Sequence, residues 1–99
     1  MKQVWILTPS TRMSKKWMIT TPQGKKIHFG AKGYQDYTQH HDKIRQINYI
    51  TRHEAAGTEQ WDNPFTAGFW SRWLLWERPS LDEAINNIRK KFKINVIIR

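Results

Sequence analysis

Lys15-Lys-Trp-Met-Ile-Thr-Thr-Pro-Gln-Gly-Lys-Lys-Ile-His-Phe-Gly30 decides the fold. Two β-prone runs, 15–21 and 25–30, flank Pro22-Gln23-Gly24, where Pro suits the first central position of a type I turn and Gly a left-handed one. A three-residue loop pairs Thr21 with Lys25. It sets Ile19 opposite Ile27 and Trp17 opposite Phe29 on one face of a β-hairpin. The other face then carries Lys16, Met18, Thr20, Lys26 and His28. A two-residue loop would set Ile19 against Lys26 and mix the two faces, so the bulged turn is the better reading.

Working outward, Val4 to Thr8 reads as a short strand broken by Pro9-Ser10-Thr11, and residues 30–33 as a loop. Residues 34–39 are polar and aromatic, irregular or a single turn. Asp42 to Ala56 predicts a helix ended by Gly57, with Ile44, Ile47 and Ile50 as its inner stripe; Arg45, Tyr49 and Arg52 share another. Residues 57–63 form a connector. A helix starting at Asp62 or Asn63, with Pro64 in its first turn, runs to Trp76. It is apolar almost all round, which predicts burial on most sides. Ser80 and Glu83 suit a capping box for a last helix whose apolar stripe is Leu81, Ala84, Ile85, Ile88 and Phe92. Residues 94–98 read as a closing strand. The fold class is therefore α+β: a small antiparallel sheet built on the N-terminal hairpin, three helices packed on one face, and a C-terminal strand. Ninety-nine residues form a single domain, 1–99.

Charge is distributed unevenly along this chain of net charge +9. The first 33 residues hold seven basic side chains (Lys2, Arg12, Lys15, Lys16, Lys25, Lys26 and Lys32) and no acidic one. A one-signed region attracts polyanions. Cysteine is absent, which excludes a disulfide framework and Cys-ligated zinc and fits a reducing compartment. The apolar run after Lys2 is too short for a secretory leader, and none approaches the length of a membrane span.

Nucleic acid is the leading partner, met through its phosphate backbone by Arg12, Lys15, Lys16, Lys25, Lys26, His28 and Lys32, with Arg45 and Arg52 extending the surface along the first helix. Such contacts give sequence-tolerant binding. The competing reading is a solvated sheet face kept soluble by lysines. Gly30-Ala-Lys-Gly33 could cradle a phosphate, but it matches neither phosphate-loop pattern and reads as a plain turn. Trp70, Trp73 and Trp76 are expected in the core rather than as a base-stacking platform, as is Trp17; Trp61 suits either role. His40, His41, Asp42, His53, Glu54 and Asp62 would have to converge to make a metal-dependent nuclease, and their spacings match no known ligand set. No catalytic residue, metal, cofactor or small-molecule substrate is expected.

Gly24-Lys-Lys-Ile-His-Phe-Gly30, Gly33-Tyr-Gln-Asp-Tyr-Thr38, Tyr49-Ile-Thr-Arg-His53 and Thr66-Ala-Gly-Phe-Trp-Ser-Arg-Trp-Leu-Leu-Trp76 together resemble a small, uncharacterised family of basic proteins from large double-stranded DNA viruses of algae and protists. The likeness covers roughly residues 15 to 92, with the Trp-rich run its most specific part. It implies a viral context rather than a mechanism: DNA binding in genome packaging, in the virion or in the host cytoplasm or nucleus during infection. The runner-up is a minor capsid or cement-type component whose basic face meets acidic capsid protein; an anionic membrane ranks below both. That reading expects a flat apolar patch left exposed.

Overall fold

The computed structural model describes residues 3–57 and 60–99. Lys2 of the basic N-terminal count and Thr58 and Glu59 of the expected connector lie outside them. The chain runs β1 (Val4–Pro9), β2 (Lys15–Thr20), β3 (Lys26–Ala31), α1 (Tyr37–His40), α2 (Lys43–Ala56), α3 (Ala67–Trp70) continuing as a π-helical turn (Ser71–Leu75), α4 (Leu81–Phe92) and β4 (Asn95–Ile98). One four-stranded sheet has the order β3-β2-β1-β4.

The hairpin forms in the expected register, Ile19 opposite Ile27 and Trp17 opposite Phe29. Its turn closes through Thr21 N–H to Lys25 O (2.8 Å) and Gly24 N–H to Thr21 O (2.9 Å), with Gly24 left-handed at φ +91°. β1 pairs antiparallel with β2. β4 returns from α4 and joins β1 in parallel, with Trp5 beside Val96. A strand reached through a helical crossover commonly enters in this direction.

One face of the sheet carries Trp5, Leu7, Ile19, Ile27 and Phe29 into a core shared with Phe69, Trp70, Leu74, Leu75, Ala84 and Ile88. Full burial of each large side chain stabilises by about 1.5–3 kcal/mol. Ring contacts bind the layers: Trp5 lies 5.5 Å from Trp70, and Phe69 meets Phe92 edge-on at 4.8 Å. α4 presents the stripe read from its sequence, is capped by the Ser80 hydroxyl accepting Glu83 N–H, and holds acids in its first turn and bases in its last.

Four local expectations are corrected. First, the Trp-rich helix does not begin at Asp62 or Asn63. The Asn63 side chain instead accepts Phe65 N–H in a turn, and Thr66 is the N-cap, accepting Phe69 N–H. Second, the run does not stay α-helical. From Ser71 it widens into a π-helix, which brings consecutive Leu74 and Leu75 both into the core.

Third, α2 is rotated relative to its hydropathy. Ile44 and Ile47 are 71% and 51% exposed, whereas Gln46 is buried. The Gln46 amide donates to Trp76 O (2.8 Å) and Glu77 O (2.9 Å). These carbonyls follow a helix end that leaves its last acceptors unmatched, so satisfying them outweighs the aliphatic stripe. Tyr49 completes the docking by stacking on Trp76, with centroids 4.2 Å apart and planes within 2°.

Fourth, the second face of the hairpin is not an open lysine track. Met18 is buried there, flanked across the strands by Thr8 and His28. Lys16 is held in an ion pair, and Lys25 and Lys26 stand at the turn, the opposite end of the hairpin from Lys15. Five strand steps of about 3.3 Å separate the two groups.

Candidate functional site, a basic cleft beside the hairpin

Between the open end of the hairpin and α2 lies a cleft of about 530 Å³. Lys15 and Lys16 of β2 border it on one side, and Arg45, Tyr49 and Arg52 of α2 on the other. The floor is Leu75 and Trp76 with Ser71 of the π-helical turn, and Tyr34 stands at the rim in the loop after β3. Four cations and one carboxylate, Asp36, thus line one concavity. The positions 45, 49 and 52 share a stripe by helical geometry, and the rotation of α2 turns that stripe toward the body of the protein.

Local chemistry fixes each wall. Asp36 caps α1, accepting Thr38 N–H at 3.0 Å, while the Gln39 amide oxygen accepts Asp36 N–H. The Thr38 hydroxyl also donates to Asp36. Lys16 Nζ donates to Asp36 Oδ2 (2.7 Å) and Gln39 Oε1 (2.6 Å), with the Lys16 side chain 15% exposed and that of Asp36 5%. The pair ties β2 to α1 and takes Lys16 out of the expected set of free phosphate contacts. Asp42 caps α2 by accepting Ile44 and Arg45 N–H, and Gly57 ends it left-handed. The turn at 31–34 uses Lys32 N–H for Ser14 O and Tyr34 N–H for Ala31 O. These bonds make it the plain turn preferred over a phosphate cradle; the Lys32 side chain is exposed.

Of the expected contacts, the cleft gathers Lys15, Lys16, Arg45 and Arg52. Arg12 is exposed in the β1–β2 connection, and Lys25 and Lys26 are exposed at the hairpin turn. His28 is engaged by Ser10: Oγ lies 2.7 Å from Nδ1 and also accepts Arg12 N–H. Desolvation, with Arg12 and Lys26 nearby, lowers the His28 pKa, so the imidazole is neutral at pH 7 and adds no positive charge for a phosphate.

His40 behaves likewise. Burial lowers its pKa first and Arg45 second, against the pull of Asp42 and Asp36. Its Nδ1 accepts Asp42 N–H at 2.9 Å, a bond that protonation would break. A histidine whose pKa is depressed in the fold binds fewer protons there than in the unfolded chain. Its contribution is full above the unfolded value near 6.5 and is lost as pH falls through that value toward the folded pKa. The urea midpoint should therefore drop between pH 7.5 and 5.5, and His40→Gln should flatten the drop. A midpoint that rises on acidification would contradict this.

Of the Trp-rich run, Trp70 is fully buried as its spacing suggested, whereas Trp73 and Trp76 pack half-buried against the core and Trp76 also lines the cleft. Trp70 Nε1–H donates to Pro64 O (2.8 Å) and Trp73 Nε1–H to Trp61 O (2.6 Å). Arg72 lies between the Trp61 and Trp73 rings, 5.1 and 4.3 Å from their centroids, and pairs with Glu77 at 2.8 Å. Trp61 thus packs one face of its ring over Arg72. Among the described residues, no three His, Asp or Glu side chains are arranged to hold a metal ion. Nor is any described helix long and apolar enough to cross a membrane.

The residue that sequence reasoning missed is Tyr34, 75% exposed at the cleft rim. Its signal was a large aromatic placed between the turn residue Gly33 and the helix cap Asp36, where no core position is available.

Residues 5–53 match a family described as a family of unknown function (DUF5754). The match takes in the hairpin, α1 and α2 except its last three residues, and stops before the Trp-rich run. It therefore includes both flanking walls of the cleft and the Tyr34 rim, but not the floor. No curated protein and no solved structure matches the chain.

Proposed function

We propose that the protein binds nucleic acid without chemistry and without strong sequence preference, using the cleft rather than the hairpin turn. The observation that carries this reading is the convergence of Lys15 from β2 with Arg45 and Arg52 from α2 around one concavity. Arg side chains suit phosphate, since the guanidinium fork can donate two parallel hydrogen bonds. Exposed Lys32, next to the cleft-lining Ala31, extends the positive rim. In the viral setting that the sequence resemblance suggests, such a protein would neutralise packaged DNA.

Binding titrations from about 0.05 to 0.2 M salt test the reading. With Lys15, Lys32, Arg45 and Arg52 each engaging one phosphate, log affinity should fall against log salt with a slope of about −3.6 on duplex and about −2.8 on single strands. A slope near zero, or no retention at about 0.1 M salt, would overturn it.

A second reading draws on Ile44 and Ile47, which leave an apolar stripe exposed on α2. Such a stripe suits a minor capsid or cement-type component docking through that helix. Retention on purified capsid shells after nuclease treatment would favour it.

A further inference from the structure

We propose that the cleft receives one unstacked nucleotide of a single strand, so that the protein prefers single-stranded to duplex nucleic acid. This rests on the nucleic-acid reading and names the form of the ligand. The volume of about 530 Å³ falls within the range of sites that enclose a small molecule, and is suited to one base with its sugar and phosphate. A paired base in a duplex is stacked on both faces and is not free to insert, so a duplex meets only the charges along the cleft's edge.

The walls supply two different chemistries. Arg45 and Arg52 are two helical turns apart, about 10 Å along α2, with Lys15 facing them across the gap. They suit the phosphates on either side of an inserted nucleotide. The aromatic surface comes from Tyr34 at the rim, 75% exposed, and from the stacked Tyr49–Trp76 pair at the inner side. Tyr49 is already committed, lying between Trp76 at 4.2 Å and His53 at 4.1 Å. The pair therefore forms a fixed wall, and Tyr34 is the ring that can close over a base. Stacking on an aromatic side chain tolerates any base, in keeping with sequence-tolerant binding.

Affinities for a labelled 12-nucleotide single strand and for the duplex of the same sequence, both at about 0.1 M salt, test this. The single strand should bind at least about tenfold tighter. Tyr34→Ala should weaken single-strand binding about tenfold while changing duplex binding less than about twofold, and Tyr34→Phe should behave as wild type. Because Tyr34 is exposed, these variants should keep the wild-type urea midpoint. Equal or tighter duplex binding, or a preference unchanged in Tyr34→Ala, overturns the single-strand assignment and leaves nucleic-acid binding standing. AMP displacing the strand at equal nucleotide concentration overturns it in favour of a free nucleotide. Retention of neither polymer overturns both readings together.

Discussion

Gly30→Ala should lower stability by about 3 kcal/mol, seen as a fall in the urea midpoint at unchanged slope and a drop in Tm of roughly 10–20 °C. Gly30 is left-handed at φ +80°, where a side chain costs about 1–2 kcal/mol. A Cβ there would also stand 2.9 Å from Leu75 Cδ1 and 3.4 Å from Lys16 Cβ. Leu75 is 1% exposed and packed with Phe29 and Trp70 in the core, so its methyl must shift from that packing to make room. Overpacking of this kind adds about 1–3 kcal/mol. Gly24→Ala is the matched control, since Gly24 shares the left-handed backbone at φ +91° but has nothing within 4 Å of a new Cβ. It should cost only the backbone share. Equal losses at the two positions would show that Leu75 gives way and that the close approach of β3 to the π-helical turn is not tight.

That approach also shapes the cleft. Gly30, Lys16 and Leu75 all line it, and the distortion at Gly30 falls between the regular pairs Lys15–Ala31 and Trp17–Phe29. The absence of a side chain at Gly30 therefore leaves room for both the sheet-to-helix contact and the inner end of the cavity.

The hairpin was legible in the sequence because everything that sets its register is local. Turn chemistry at Pro22-Gln23-Gly24 and two-residue alternation on either side agree, and a one-residue slip would invert every side chain. α4 was legible for the same reason, with cap, dipole charges and apolar stripe all pointing one way. α2 was not. Its aliphatic stripe, Ile44 and Ile47, reads as inward by hydropathy, yet the helix is docked through the Gln46 amide and the Tyr49 ring. The partners of those groups, Trp76 and Glu77, lie about 30 residues away. No periodicity encodes that choice. The π-helical turn that creates it was equally hidden, because its apolar run reads as continuous helix.

The candidate site was half legible. The stripe Arg45, Tyr49 and Arg52 follows from helical spacing, and the basic character of Lys15 and its neighbours from composition alone. What could not be read was how these charges are sorted. Asp36 lies twenty residues from Lys16 and captures it. Ser10 engages His28, desolvation with Arg12 and Lys26 nearby lowers its pKa, and Lys25 and Lys26 are carried to the far end of the hairpin. A count of bases thus became a smaller set in one place.

That sorting makes the two ends of the hairpin separable. Arg45→Glu with Arg52→Glu, and Lys25→Glu with Lys26→Glu, change net charge equally, so long-range attraction falls alike in both. Only local contact distinguishes them. All four positions are exposed, so neither double variant should unfold the domain. Losing two phosphate contacts and setting two carboxylates against the backbone should weaken binding by about a hundredfold at the cleft, against about threefold at the turn. The decisive measurement is the affinity of the two double variants for one single-stranded oligonucleotide at about 0.1 M salt. The cleft account predicts the large loss for the Arg45 and Arg52 pair alone; equal losses, or a larger one for the Lys25 and Lys26 pair, would contradict it.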